Sequence, residues 1–110
     1  MNSRISTLAK QIQQQPNDSF SKFALALELR KVGDSRKALA LFENIVNNDP
    51  DYVGVYYHLG KLHEELGENI LAIKCYKSGI EIATKLANQH AKSELQSALV
   101  NLEFETEDDL

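Results

Sequence analysis

The residue types that could carry out chemistry are concentrated between residues 58 and 75. This stretch holds two of the three histidines, His58 and His63, and the only cysteine, Cys75. The two histidines are five residues apart, or about 500° around a helix, whereas a zinc pair of the His-Glu-x-x-His type needs a spacing of four to bring both rings to one side. We therefore predict no metal site. The histidines are expected to be partly buried structural residues, and the cysteine a small packed hydrophobe.

Other catalytic patterns are also missing from the sequence. The five glycines are scattered and form no phosphate-binding loop, and no nucleophile elbow is present. Acidic pairs occur at Glu64/Glu65 and Asp108/Asp109, but adjacent helical residues point about 100° apart, so a solvated face explains them better than acid–base catalysis. We predict that the protein is not an enzyme and uses no cofactor. A metal-dependent or redox function at the histidines and the cysteine is the alternative that metal analysis would test.

Composition and charge limit the other function classes. The chain has 110 residues, of which 43% are hydrophobic and 25% charged, which is typical of one globular domain. No apolar leader or membrane-length apolar run is seen, and one cysteine builds no disulfide framework, so a cytoplasmic protein without membrane contact is expected. The charge is +2 over residues 1–50 and −6 over residues 51–110. An acidic chain without a basic cluster predicts no nucleic-acid binding.

The chain repeats itself with a period of 34 residues. Conservative matches such as Phe42/Tyr76 accompany the identities, and most of the matches cluster around one glycine. A fixed period of this length is typical of helical repeat proteins. The identical pairs at this offset are Pro16/Pro50, Leu25/Leu59, Gly33/Gly67 and Ala38/Ala72.

Each copy is predicted to form two helices joined by a glycine turn. Gly33 suits the left-handed position after a helix, and Asp34 or Ser35 can cap the next helix. In copy two, Gly67 and then Glu68 or Asn69 take these roles. The apolar spacing of an amphipathic helix is clear in the first helix of copy one, at Phe20, Phe23, Ala24 and Leu27.

The flanking segments behave as partial repeats that cap the stack. We therefore predict one all-α domain over residues 1–110, with an α-solenoid of about six helices. Its parts are an N-terminal capping helix at 1–16, repeat one at 17–51, repeat two at 52–87, a C-terminal capping helix at 88–103 and a solvated acidic tail at 104–110.

Small residues are expected where helices cross closely, and bulky residues where one hairpin meets the next. The small positions are Ala26, Ala38, Gly60 and Ala72, and the bulky ones are Phe42 and Tyr76.

The 34-residue unit contains a leucine followed by a small residue, a glycine turn, an alanine, an aromatic and a terminal proline. In this it resembles the tetratricopeptide repeat, and the chain resembles a small bacterial-type protein with two copies of that repeat. The resemblance implies a right-handed superhelical stack. Three departures stand out. Lys22 replaces an aromatic, Leu29 and His63 replace a common tyrosine, and Thr84 replaces the terminal proline of copy two, so that the last helix of that copy is expected to run on by a turn or more.

The resemblance also implies a function and a site. Members of this family hold ligands in a concave groove lined by the first helices, so a non-catalytic scaffold or adaptor that binds a peptide or helix of another protein is expected. The lysine and asparagine clamp for chaperone tails is not seen, because Phe23, Leu27 and His58 hold those positions. A homodimer through an exposed hairpin face is the alternative, and coverage of the groove by the caps or the acidic tail stays open. The implied groove residues are Phe20, Phe23, Leu27, Arg30 and Lys31 in copy one, and Gly54, Tyr57, Lys61, Glu64 and Glu65 in copy two.

Overall fold

The computed structural model describes residues 3–108, and within that range the chain forms six α-helices and no strand. The prediction of an all-α helical repeat fold is confirmed. The helices are α1 (Ser3–Gln14), α2 (Ser19–Lys31), α3 (Ser35–Asn48), α4 (Gly54–Glu65), α5 (Asn69–Lys85) and α6 (Gln89–Asp108).

The chain divides into two compact units, the first ending at Tyr52 and the second beginning at Val53. In unit 1, α2 packs against both α1 and α3, and in unit 2, α5 packs against both α4 and α6. Each unit therefore contains one complete helical hairpin and one capping helix. The single domain over 1–110 and the superhelical arrangement of the hairpins stay predictions.

The two predicted glycine turns adopt the left-handed backbone that ends a helix. Gly33 has φ +88° and Gly67 has φ +76°, and an added Cβ at either would meet no atom within 4 Å, so backbone conformation is what favours glycine there. Asp34 caps α3, as expected, by accepting a hydrogen bond from the Lys37 backbone N–H at 3.2 Å.

The turn between α4 and α5 uses its acidic residue differently. The Glu68 carboxylate accepts a hydrogen bond from His63 Nδ1 at 2.9 Å instead of capping α5. His63 is buried, with 7% of its surface exposed, so this bond satisfies a ring nitrogen inside the unit. The bond also links the end of α4 to the turn that follows it.

The turn between α5 and α6 repeats this geometry without glycine. Ala87 has φ +55°, in the left-handed region that an alanine rarely occupies. Its N–H donates to the Thr84 carbonyl at 3.1 Å, and the Asn88 N–H donates to the Ala83 carbonyl at 2.9 Å. These two bonds close the end of α5 and hold the alanine in its strained conformation.

The core of unit 1 forms where α2 crosses α3. Ala26 and Ala38 are fully buried, as the predicted close crossing requires, and Phe42 is fully buried beside them. Lys22, at the position where an aromatic is usual, is also buried, and its Nζ donates to Asn44 Oδ1 at 2.8 Å. This bond and the carboxylate of nearby Asp18 make the buried ammonium tolerable.

The core of unit 2 depends on two glycines. A Cβ at Gly60 would lie 2.3 Å from Cε1 of Tyr76, so the tyrosine ring of α5 rests directly on the backbone of α4. A Cβ at Gly79 would lie 2.6 Å from Cβ of Tyr56 and 2.9 Å from Cδ1 of Leu95. Both crossings need glycine because no space is left for a methyl group.

Two helices are longer than the repeat pattern requires. α5 has 17 residues against 14 in α3, as expected from Thr84 at the position of the terminal proline. α6 continues to Asp108, so the prediction that the capping helix ends at residue 103 is wrong. The acidic segment 104–110 is helical as far as it is described, because its glutamates permit helix and no proline or glycine interrupts it.

Candidate protein-binding surface

The histidines and the cysteine do not form a metal site in the described part of the chain. No group of three or more histidine, cysteine, aspartate or glutamate side chains there is arranged to hold a metal ion. His63 is engaged by Glu68, and the His58 ring packs edge-on against Tyr57 with 5.4 Å between ring centroids. Cys75 is half-buried on α5.

The predicted groove residues of α2 differ in how free they are to meet a ligand. Phe20, at the start of the helix, has 65% of its surface exposed. Phe23 is half-buried, because its ring packs against Phe42 at 6.1 Å and against Tyr52 at 5.5 Å. Leu27 is also half-buried. The two aromatics that the sequence placed together therefore have different roles, since Phe20 is exposed and Phe23 packs against the unit 1 core with one side of its ring.

The basic end of α2 is organised by a residue that sequence reasoning missed. Glu28 accepts a hydrogen bond from Arg4 Nε of α1 at 3.0 Å and lies 3.7 Å from Nζ of Lys31. The Lys31 side chain is 75% exposed and Arg30 is half-buried. The i, i+3 spacing of glutamate and lysine was visible in the sequence, but the partner on α1 was not.

The start of α2 carries a second polar cluster that the sequence did not predict. The Ser21 hydroxyl donates to Asp18 at 2.6 Å, and the Ser19 hydroxyl donates to Asp49 at 2.6 Å. The bond from Ser21 holds the pKa of Asp18 below its ordinary value. These bonds fix the first turn of α2 and hence the position of the exposed Phe20.

Three predicted residues of α4 come together on one face of the helix. Lys61 Nζ lies 5.7 Å from the centroid of the Tyr57 ring and 3.7 Å from Glu64 Oε2. The lysine and glutamate side chains are 34% and 21% exposed, and the tyrosine is half-buried. We call Tyr57, Lys61 and Glu64 the α4 cluster. Gly54 and Glu65 are exposed at the two ends of the same helix.

Glu64 has a structural partner beneath this surface. The hydroxyl of the buried Tyr76 donates to Glu64 Oε2. Burial, together with this bond to a carboxylate, raises the pKa of Tyr76 well above its ordinary value. Sequence reasoning treated Tyr76 as a packing residue and missed this link. Glu64 is therefore held by α5 and positions Lys61 from below.

The helices were also compared with what a membrane span requires. Within residues 3–108, no helix is both long enough and apolar enough to cross a membrane.

The fold and the repeat turns define a helical repeat protein, and comparison with known proteins specifies its class. The family model for the tetratricopeptide repeat matches residues 53–86. A crystal structure of a tetratricopeptide repeat domain protein from Salinibacter ruber is 50% identical, with a TM-score of 0.76, and the match covers 78% of this chain and 96% of that one. The chain belongs to the tetratricopeptide repeat family. Repeats of this family generally mediate protein–protein interaction, and the proteins that carry them are generally non-catalytic scaffolds.

Two further relatives extend the comparison. A TPR repeat-containing protein of Methanocaldococcus jannaschii is 36% identical over 80 residues, which is 73% of this chain. The chain spans only 25% of the length of that relative. The solution structure of a protein from Bordetella parapertussis is 24% identical, with a TM-score of 0.81, and covers 96% of this chain and 91% of its own length. At that identity the likeness shows the fold.

Proposed function

We propose that this chain is a non-catalytic cytoplasmic adaptor whose repeats each bind a peptide or helix of another protein on their first helix, α2 in unit 1 and α4 in unit 2. The observation that carries the proposal is the α4 cluster. It combines an aromatic ring, a cation and a carboxylate that are already held in place and still reach solvent. Its residues recur at helical spacing, so one ligand segment can contact all of them.

The geometry of the cluster favours binding because little further ordering is needed. The Tyr57 ring is fixed by the edge contact with His58 and by the ammonium group of Lys61. A side chain that is ordered before binding loses less conformational entropy when a ligand arrives. Tyrosine is also enriched among residues that dominate interface energies.

The charge of the cluster indicates what the ligand presents. Lys61 has three N–H donors, and its ammonium group is shared between the Tyr57 ring and Glu64 at 3.7 Å. A backbone carbonyl or a carboxylate of the ligand can accept from the remaining donors. The tyrosine ring supplies the adjoining apolar contact.

Residues of α2 support a similar role in unit 1. Phe20 offers an exposed aromatic ring, and Lys31 an exposed cation. Phe23 and Leu27 contribute only their half-exposed edges. The predicted set therefore divides into residues that can meet a ligand directly and residues that support them.

The proposal can be tested by comparative capture from a lysate of the source organism. The test variant is Tyr57→Ala/Lys61→Glu, and the matched control is Lys77→Glu, which makes the same charge change at an exposed position on α5. Phe23 is left intact because its packing in unit 1 would confound the result. Circular dichroism and thermal melting first establish that both variants are folded.

The outcomes are distinct. We expect a protein that the wild type and the Lys77→Glu control retain and that the test variant loses, with at least a tenfold weaker affinity when the purified partner is titrated. Identical capture by all three chains would contradict binding through α4.

Self-association is the second candidate, and a different observation favours it. Leu66, Ile70 and Leu71 expose 45%, 84% and 44% of their surfaces around the turn between α4 and α5. Contiguous exposed apolar residues are a common basis for dimer contacts. If this candidate is correct, the solution mass rises with concentration and Ile70→Ser restores the monomer. A constant monomer mass would exclude it.

A further inference from the structure

Two buried positions of α4 recur in the C-terminal helix α6 at an offset of 36 residues. Leu59 and Leu62 of α4 are 4% and 0% exposed, and the residues 36 positions later, Leu95 and Ala98, are 1% and 4% exposed. Both helices pack against α5, where Gly79 lies against Tyr56 of α4 and against Leu95 of α6. α6 therefore occupies the position of a first helix from an incomplete third repeat.

The same offset identifies the residues of α6 that correspond to the α4 cluster. Tyr57, Lys61 and Glu64 correspond to Ser93, Ser97 and Val100. Phe104 follows Val100 by one helical turn and lies on the same side. We call Ser93, Ser97, Val100 and Phe104 the α6 outer face.

This face is apolar at its C-terminal end and open to solvent. Val100 and Phe104 are 61% and 65% exposed, whereas Leu102 between them is 3% exposed and faces the core. The small serines one and two turns earlier leave a shallow depression beside Val100 that Gln96 and Asn101 border. An aromatic and a branched aliphatic side chain next to a depression form a surface on which an apolar helix stripe can pack.

The charge around this face determines which partner fits. Residues 93–110 contain six acidic residues and no lysine or arginine. Glu103 and Glu105 flank Phe104 in sequence and are both exposed. A second copy that presented the same face would bring acidic groups against acidic groups, which electrostatic repulsion disfavours. Two apolar side chains also bury far less than the roughly 1,600 Å² of a standard protein–protein interface.

We propose that the α6 outer face binds a basic amphipathic helix of a partner protein. Its apolar stripe packs on Val100 and Phe104, and its lysines or arginines pair with Glu103 and Glu105. The inference rests on the proposed adaptor function. It adds the chemistry of the partner and a third helix, α6, that contacts this partner.

A model peptide provides a direct test with the full chain. The probe is a helical peptide of about 18 residues with leucine on one face and lysine on the other, and its control is a scrambled peptide of the same composition. Amide shift changes in ¹⁵N-labelled protein locate the contact, and fluorescence anisotropy gives the affinity. We expect the largest shifts between residues 93 and 105, and at least tenfold weaker binding of the scrambled peptide.

Two variants separate the apolar and the electrostatic contributions. Val100→Ser/Phe104→Ser is expected to weaken binding at least tenfold, whereas Val32→Ser, which removes a 56% exposed side chain in unit 1, leaves it unchanged. Glu103→Gln/Glu105→Gln is expected to weaken binding several-fold and to reduce its dependence on salt.

Each opposing outcome overturns the inference. Shifts centred on α4 with none on α6 would refute this face while leaving the proposed adaptor function intact. Equal affinity for the ordered and the scrambled peptides, or no binding to either, would refute an amphipathic basic partner, and the capture experiment would still judge the adaptor function independently. If the solution mass of the protein without peptide rises with concentration, and Val100→Ser/Phe104→Ser abolishes this rise, the face is a dimer contact and not a site for a basic helix.

Discussion

Replacing Gly60 with alanine tests the tightest contact in unit 2. An added methyl carbon would lie 2.3 Å from Cε1 of Tyr76 and 2.8 Å from two further ring atoms, where ordinary contacts begin at 3.4 Å. The ring therefore has to move by about 1 Å to relieve the clash. It cannot do so freely, because it is fully buried and its hydroxyl bonds to Glu64 on the same helix as Gly60.

Two opposing terms set the size of the effect. Overpacking of a dense core typically costs about 1–3 kcal/mol, whereas alanine in place of glycine inside a helix gains about 1 kcal/mol. Because the clash involves ring atoms that are held on all sides, the upper part of the overpacking range applies. We expect Gly60→Ala to lower the free energy of unfolding by about 1–2 kcal/mol net, or roughly 3–10 °C in melting temperature.

A double-mutant cycle measured by urea unfolding provides the assay. In a Tyr76→Leu background the ring is gone, so Gly60→Ala should become neutral or stabilising by up to about 1 kcal/mol. The coupling between the two positions is the quantity of interest. If Gly60→Ala stabilises the wild-type chain, or has the same effect in both backgrounds, the proposed close crossing of α4 and α5 is refuted.

Three further predictions follow from other features. Ala87→Gly should stabilise the chain by about 0.5–1 kcal/mol in urea unfolding, because it relieves the left-handed backbone of an alanine. Gly33→Ala should destabilise the chain, because it puts an alanine into the same conformation at the corresponding turn. An effect of the same sign in both variants would contradict this account. Phe42→Ala should lower the free energy of unfolding by about 3–5 kcal/mol through a core cavity, and an unchanged melting temperature would contradict its placement in the core. Because the pKa of Tyr76 is raised in the folded protein above its ordinary 10.0, stability should be unaffected by this group below pH 10 and should fall as the pH rises further. In Tyr76→Phe, the free energy of unfolding measured with urea should fall less steeply above pH 10 than it does in the wild type. The same slope in both proteins would contradict this account.

Much of the fold could be predicted because local chemistry decides it. The 34-residue period, the glycines of the left-handed turns and the proline-delimited helices are all properties of short segments. Small residues at helix crossings were also identifiable, since Ala38 and Gly60 occur at fixed positions of the repeat. The end of α6 was missed because an acidic composition predicts solvation but not the absence of helix.

The candidate site was only partly predictable. Periodicity placed Tyr57, Lys61 and Glu64 on one face of a helix, which the structure bears out through their mutual distances. The same periodicity made Phe20 and Phe23 equivalent, and they are not. The spacing of residues along a helix predicts which face of the helix each side chain lies on, but not which other residues cover that face.

The sequence by itself determined where the helices lie, which turns join them and which family the chain resembles, because these depend on backbone preferences and spacing within a few residues. Only the tertiary structure decided which polar groups are already engaged. Glu28 is bound by Arg4 from 24 residues away, and Glu64 by Tyr76 from 12 residues away. Such partners are brought together by the packing of one helix against another, and no local property of either residue specifies that contact.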